Sequence, residues 1–357
     1  MRKRILESVR HAIEDSDYDS LLIAGTQNIQ YLTGFRGDNG FVIISPSQAL
    51  LLTNQLYIED ARAAVDGPYD VIEMRESLSQ SIQDFGSAEL GNRLGFEHDK
   101  TTVASYTKLI KTLPDCVLVP TESVIEGLRI SKDEHEIEAV RKAQTISERV
   151  FDEVLGLVGE GVEERELAME IDYRFRLHGG EGPSFATIVA TGRNTSKPHY
   201  VPSRNKIKTG DFVLFDMGTI VDSYASDMTR TIVFGSADSE QKKVYKAVLD
   251  AQTAALEVLK AGMACSEADH TARDVIDQAG YGEQFVHSLG HGVGLEVHEQ
   301  PYLSKRSTEN LVSGSIVTVE PGIYLPGWGG VRIEDMVVIR ENGIENLVTV
   351  PKEFIEL

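Results

Sequence analysis

Residues 213–234 read VLFDMGTIVDSYASDMTRTIVF. Two runs rich in Val, Ile, Phe and Thr flank a turn expected at 221–223, the pattern of a β-hairpin. Asp216 and Asp227 lie one in each run, and their midpoint falls at 221.5. In a hairpin symmetric about that point the two carboxylates oppose each other, with Cβ atoms roughly 5 Å apart. A second stretch, VTVEPGIYLPGWGGVRIED at 317–335, has the same design: Glu320 and Glu334 flank a turn centred on Gly327, within Pro326-Gly327-Trp328. Like charges facing each other inside apolar runs are costly unless a proton or a cation neutralises them. An exposed sheet edge would explain one such pair, but two in corresponding places call for a common cause.

A fifth candidate comes from HSLGHGVGLEVHE, residues 287–299, where His287, His291 and His298 are three of the nine histidines in the chain. Gly290 and Gly292 are expected to let backbone crowd around the His291 imidazole. Four carboxylates and one imidazole, with no thiolate, point to two divalent cations bridged by acids. Such donors suit Mn(II), Co(II), Fe(II) or Zn(II) better than a structural zinc site. In TGRNTSKPHY, residues 191–200, His199 follows Pro198 in a turn-rich segment that is a candidate active-site wall.

Around these hairpins the chain falls into two parts. The first third alternates short apolar runs at 21–24, 41–44, 50–53, 94–96 and 117–119 with helical stretches near 55–65, 76–85 and 102–112. That is an α/β N-terminal domain, expected over 1–125. From Ser131, which with Glu134 forms a capping-box pattern, the periodicity becomes helical. Ile137, Val140, Ala143, Ile146, Val150 and Val154 make one apolar stripe, and a second helix fits 163–178, ended by Gly179 and Gly180. Strands follow near 185–190, 212–217 and 228–234. Two more helices, at 240–260 and 266–279, then precede strands near 285–289, 316–320 and 331–339. Residues 126–357 thus read as an α+β domain of two structural halves, each two helices followed by β-structure.

Composition removes several function classes. There are 56 acidic residues against 35 Lys plus Arg, a net charge of −21 and an isoelectric point of about 4.8. Nucleic acid is a poor partner for such a surface, since phosphate binding rests on clustered cations. With 41% hydrophobic and 25% charged residues the acidity does not signal disorder. No apolar run approaches the roughly 20 residues of a membrane-spanning helix. The N-terminus reads as an amphipathic helix and not a signal peptide, and Cys116 and Cys265 do not describe a disulfide scaffold. A soluble cytoplasmic protein with no membrane partner is the expectation.

The motifs together resemble the pita-bread metallopeptidases, the family of prolidase, aminopeptidase P, methionine aminopeptidase and creatinase. The likeness rests on SFATIVATGRNTSKPH, GDFVLFDMGTIVDSYASDMTRT, HSLGHGVGLEVHE, TVEPGIY and GGVRIED, and in the first third on NIQYLTGFRGDNG and LGFEHDKTTVASYTKL. It implies an α/β N-terminal domain followed by an α+β pita-bread catalytic domain with pseudo-twofold halves. It further implies that Asp216, Asp227, His291, Glu320 and Glu334 ligate two divalent ions, Mn or Co ahead of Zn or Fe, with Asp227 and Glu334 bridging. The water between them is then the nucleophile and Glu320 helps to move its proton.

By the same resemblance His199 and His298 stabilise the oxyanion, His287 is a further pocket histidine, and Arg332 either orients acidic ligands or meets a substrate carboxylate. The implied substrates are proline-containing dipeptides or short peptides, cleaved at Xaa-Pro by a homodimer. Alternatives are a methionine-type aminopeptidase and a non-catalytic peptide-binding relative. Thr53-Asn54-Gln55-Leu56-Tyr57 departs from the TDxRY segment of many aminopeptidase P-like members, which leans the reading toward the dipeptidase. Asp222-Ser223-Tyr224 departs from a frequent Gly-Tyr only within a turn.

Overall fold

The computed structural model describes residues 2–74, 76–85 and 90–357, which divide into two compact units, Met1–Arg129 and Ile130–Leu357. In the first unit the apolar runs form a six-stranded sheet of order β4-β3-β2-β1-β5-β6. Its strands are β1 Ser20–Ile23, β2 Gly40–Ile44, β3 Ala49–Thr53, β4 Asp70–Glu73, β5 Arg93–Glu97 and β6 Val117–Thr121. Helices α1 Arg2–Glu14, α2 Thr26–Thr33, α3 Ile58–Ala64, α4 Leu78–Phe85, α5 Val103–Thr112 and α6 Val124–Arg129 connect and follow them. Both α2 and β4 escape the sequence reading: DVIE of β4 is half-exposed and carries no apolar run. The boundary lies after Arg129 and not after 125, because α6 belongs to the first unit, where Ile125 is fully buried and Tyr31 donates to Leu128 O at 2.9 Å.

In the second unit, helices α7 Glu134–Leu155 and α8 Glu164–Leu177 open one half, and α9 Ser239–Val258 and α10 Cys265–Gln278 open the other. The cap of α7 is Asp133, not Ser131. Its carboxylate accepts from Glu136 N at 3.0 Å and the Glu136 carboxylate accepts from Asp133 N at 2.9 Å, while Ser131 donates to Ser313 O. The strands are β7 Ile188–Thr191, β8 Phe212–Met217, β9 Ile220–Val221, β10 Tyr224–Ala225, β11 Met228–Val233, β12 Gly290–Gly292, β13 Glu299–Leu303, β14 Ile316–Val319, β15 Gly322–Leu325, β16 Gly329–Arg332, β17 Asp335–Arg340 and β18 Gly343–Asn346. They form sheets β11-β8-β7 and β13-β12-β14-β17-β18, with β15-β16 and β9-β10 as two-stranded extensions.

Strand alternation assigns the two cores. Ile316, Met336 and Val338 pack with α7 and α8, whereas Val317, Val319, Val337 and Ile339 pack with α9 and α10. The sheet therefore lies between the two helix pairs, and its strands are apolar on both faces. Asp216 interrupts the apolar run of β8, and Asp227, Glu320 and Glu334 sit in the breaks next to β11, β14 and β17.

Two expected strands fail, each for a backbone reason. Residues 285–289 do not form a strand: Arg273 takes the carbonyls of Phe285 and His287 at 2.8 and 2.9 Å, leaving them unavailable to a ladder. The expected strand at 331–339 is cut between β16 and β17, where Glu334 N donates to Thr229 O of β11 at 3.1 Å.

Candidate active site

The first hairpin is tighter than its acids imply. Asp216 pairs with Thr229 and Ile220 with Ala225, so the ladder is symmetric about Asp222-Ser223, both with positive φ of 49° and 69°. Two residues at positive φ make the turn whose twist matches a two-residue hairpin. Asp227 consequently stands opposite Gly218, and the expectation that it faces Asp216 directly is corrected to a diagonal placement on the same sheet face. A Cβ on Gly218 would lie 1.9 Å from Ser226 O, so the strand facing Asp227 tolerates no side chain there.

In the second hairpin the expected opposition holds. Val319 pairs with Asp335 and Gly322 with Arg332, and Glu320 and Glu334 lie between these rungs in the same register. Neither acid is part of a ladder rung. Glu320 N donates to Leu289 O at 2.8 Å and Glu334 N to Thr229 O, so the strands part where the two carboxylates meet.

All nine predicted site residues line one cavity of about 460 Å³: His199, Asp216, Asp227, His287, His291, His298, Glu320, Arg332 and Glu334. Phe185, Ile188, Val201 and Tyr302 add apolar wall. At its floor, one oxygen each of Asp227 and Glu334 and one nitrogen of His291 lie within 4.8 Å of one another. His291 Nε2 is 3.3 Å from Glu320 Oε1 and 3.7 Å from Asp227 Oδ2, while Nδ1 lies 3.1 Å from Gly292 O. A proton on Nδ1 would be donated there, leaving Nε2 to face the acids. Gly290 and Gly292 serve packing instead of the imidazole: Cβ atoms on them would lie 2.0 Å from Thr318 O and 2.3 Å from Gln300 O.

Charge balance at this floor is strongly negative. Burial, and then the charges of neighbouring acids, push the Asp227 and Glu334 carboxyls well above the usual carboxylate range. Burial also raises Asp216, against the pull of Arg332. Burial would raise Glu320 too, but the hydrogen bond and charge of His291, with the charges of His287 and Arg332, together outweigh it and bring it down to about 2. Asp227 Oδ1 is buried without a hydrogen-bond partner. An orphaned carboxylate oxygen beside three further acids is a donor set that fits divalent cations and fits little else.

Arg332 is buried and directed into this set. It ion-pairs with Asp216 and donates from Nε to Thr229 Oγ1 at 2.9 Å and from Nη1 to Tyr324 OH at 3.0 Å. Paired in this way, it orients Asp216 and offsets the acids around it. Tyr324, pushed up to about 12 by burial, keeps its proton and lies 2.9 Å from His287 Nε2. His287 Nδ1 lies 2.8 Å from Ser288 O, and burial lowers this imidazole, so it accepts from Tyr324 and donates to Ser288. His298 lies with its ring centroid 4.3 Å from His291, and the exposed His199 also lines the cavity.

Sequence reasoning missed Thr229 and Tyr324. Thr229 Oγ1 donates to Glu334 Oε2 at 2.6 Å and accepts from Arg332, tying the two hairpins together. Both residues alternate in register with named site residues, Thr229 with Asp227 and Tyr324 with Glu320 and Arg332, which is the one signal that points to them.

Comparison with known proteins agrees with this geometry. Residues 138–341 match the model of metallopeptidase family M24, and residues 5–131 match the creatinase/prolidase N-terminal domain. The chain is 35% identical to an Xaa-Pro dipeptidase of Pyrococcus furiosus, over 99% of this chain and 100% of that one. Among solved structures it superposes on an Xaa-Pro dipeptidase from Bacillus anthracis with a TM-score of 0.97 at 38% identity, covering 100% of both chains. An X-Pro aminopeptidase from Thermotoga maritima gives 0.90 at 34% identity, covering 99% of each. A buried acid and histidine cluster built by two hairpins, in a chain matched end to end, places this protein in metallopeptidase family M24, with a creatinase/prolidase N-terminal domain ahead of its catalytic domain.

Proposed function

We propose that the chain is a dinuclear metal-dependent exopeptidase that hydrolyses Xaa-Pro bonds, acting as an Xaa-Pro dipeptidase in preference to an Xaa-Pro aminopeptidase. The observation that carries the reading is the convergence of three buried acids, the part-buried Glu320 and His291 on one cavity, with an Asp227 oxygen left without a partner. Asp216, Asp227, His291, Glu320 and Glu334 would hold two divalent ions, Mn(II) or Co(II), with Asp227 and Glu334 shared between them. Ions held there would polarise the scissile carbonyl and acidify an attacking water.

The remaining steps belong to the protein's own groups. Glu320, held ionised by His291, His287 and Arg332, would help to move the proton of that water. His298 and His199 both line the cavity, so their N–H groups can meet the charge that develops on the carbonyl oxygen. Arg332 holds Asp216 in place, and His287, fixed by Tyr324 and Ser288, shapes the wall. Phe185, Ile188, Val201 and Tyr302 offer apolar surface to a proline ring, which brings no N–H to satisfy. Relatives named Xaa-Pro dipeptidase support the preference, as does Asn54-Gln55 in place of an acid-containing segment. A homodimer is proposed on the family resemblance and a cytoplasmic place on the two unpaired cysteines, Cys116 and Cys265; among the described residues no helix is long and apolar enough to cross a membrane.

The test is hydrolysis of Ala-Pro, Ala-Pro-Ala and Met-Ala-Ser by metal-stripped protein after adding Mn(II), Co(II) or Zn(II). Cleavage of Ala-Pro alone is the expected result. Cleavage of Ala-Pro-Ala would select the aminopeptidase, cleavage of Met-Ala-Ser the methionine type, and no turnover with any metal would remove the enzyme reading.

A further inference from the structure

Glu164, the first residue of α8, is 0% exposed and is not among the residues lining the cavity. Its carboxylate collects donors from both ends of one connecting segment. Oε1 accepts from Thr191 N at 2.8 Å, Thr191 Oγ1 at 3.1 Å and Asn194 Nδ2 at 3.0 Å. Oε2 accepts from Tyr200 OH at 2.8 Å, Ser203 N at 3.1 Å and Ser203 Oγ at 2.8 Å. Asn205 Nδ2 closes the far end with a 2.7 Å bond to Thr191 Oγ1. Between these ends run Pro198, His199, Tyr200 and Val201, which form one wall of the cavity, and no strand pairing supports residues 192–205.

We infer that Glu164 is a positioning residue for substrate: its carboxylate clasps both ends of the 191–205 segment and thereby fixes the wall that carries His199. The clasp requires a carboxylate and not merely a polar side chain of that size. Each oxygen faces a backbone N–H, Thr191 on one side and Ser203 on the other, and a backbone donor cannot reverse its polarity as a hydroxyl can. A glutamine amide would have to set its own NH₂ against one of them, whichever way it is turned. Two buried donors would then face each other without an acceptor. Burial acts to raise this carboxyl, yet the bonds from Asn194, Tyr200, Ser203 and Thr191 hold it below its ordinary value, and its place in the first turn of α8 also favours the anion.

The kinetic part of the test rests on the Xaa-Pro peptidase reading, whereas the exchange part does not. Glu164→Gln is compared with the unsubstituted chain by amide hydrogen exchange, by bound Mn(II) and by steady-state kinetics on Ala-Pro. Exchange within 192–205 is expected to quicken by about tenfold while α9 and α10 exchange as before. KM should rise by about tenfold, more than kcat falls, with Mn(II) content unchanged. Unchanged exchange in 192–205 would overturn the inference, and so would loss of Mn(II), which would place Glu164 in the service of the acid cluster. Should Glu164→Gln not fold, Ser203→Ala removes one donor to Oε2 without touching the cavity. It should quicken the same segment by about threefold, and no change there would equally overturn the clasp. If the unsubstituted chain does not cleave Ala-Pro, the peptidase reading fails while the exchange result still decides the role of Glu164.

Discussion

The two acid-bearing hairpins reach one cavity floor by different routes. In the β8–β11 hairpin Asp216 sits on a rung opposite Thr229, while Asp227 falls in the gap between that ladder and the β9–β10 ladder, so the two acids are offset along one register. In the β14–β17 hairpin Glu320 and Glu334 face each other, and there the ladder opens: each acid's N–H bonds to a different strand or segment. Direct opposition of like charges occurs where both acids sit in such a gap, while the hairpin that keeps one acid on a rung carries the pair on a diagonal. Thr229 joins the two solutions, since it pairs with Asp216 in one hairpin and donates to Glu334 of the other.

The largest expected effect comes from removing one acid from either hairpin. Asp227→Asn and Glu334→Gln should each lose bound metal and fall to background activity, and the two should be alike despite their different backbones. A variant of one hairpin that kept full metal would break the symmetry of the account. Next is the link between hairpins: Thr229→Val removes the hydroxyl shared by Glu334 and Arg332 and should lower kcat/KM by about 10–100-fold, with the protein still folded by circular dichroism.

Smaller effects separate backbone from chemistry. Gly218→Ala puts a methyl against Ser226 O between the β8–β11 and β9–β10 ladders and should cost about 1–3 kcal/mol, read as a lower denaturation midpoint. Ser223→Gly relieves a positive φ in the turn, against the greater freedom of glycine in the unfolded chain. A gain of roughly 0.5 kcal/mol with unchanged kcat/KM is expected. If Ser223→Gly altered activity, the first turn would be coupled to the floor in a way the ladder does not explain.

Much of this was legible in residues close in sequence. The strand Phe212–Met217 has the bounds its apolar run predicts, and helices α7 to α10 follow their stripes. All nine site residues converge, because each lies in a motif whose strand or turn fixes its direction. The register of the first hairpin was misread because its midpoint was taken from the two acids, whereas turn chemistry sets it at Asp222-Ser223. Ser131 and Asp133 both fit a capping box with a glutamate three residues on, and only the structure shows which side chain turns to the helix.

The partnerships of Thr229, Tyr324 and Glu164 were hidden for a different reason. Thr229 meets Glu334 across 105 residues and Glu164 meets Ser203 across 39, and local periodicity says nothing of such encounters. The strongly acidic composition was no guide either, since the cavity floor uses four of the 56 acidic residues.

The central claim is that two hairpins from two structural halves jointly hold a pair of divalent ions. It is tested most directly by counting the Mn(II) that metal-stripped protein takes up in equilibrium dialysis. The account predicts two ions per chain, and loss of metal when Asp227 of the first hairpin or Glu334 of the second is replaced by its amide. Two ions retained in either variant, or none in the unsubstituted chain, would contradict it.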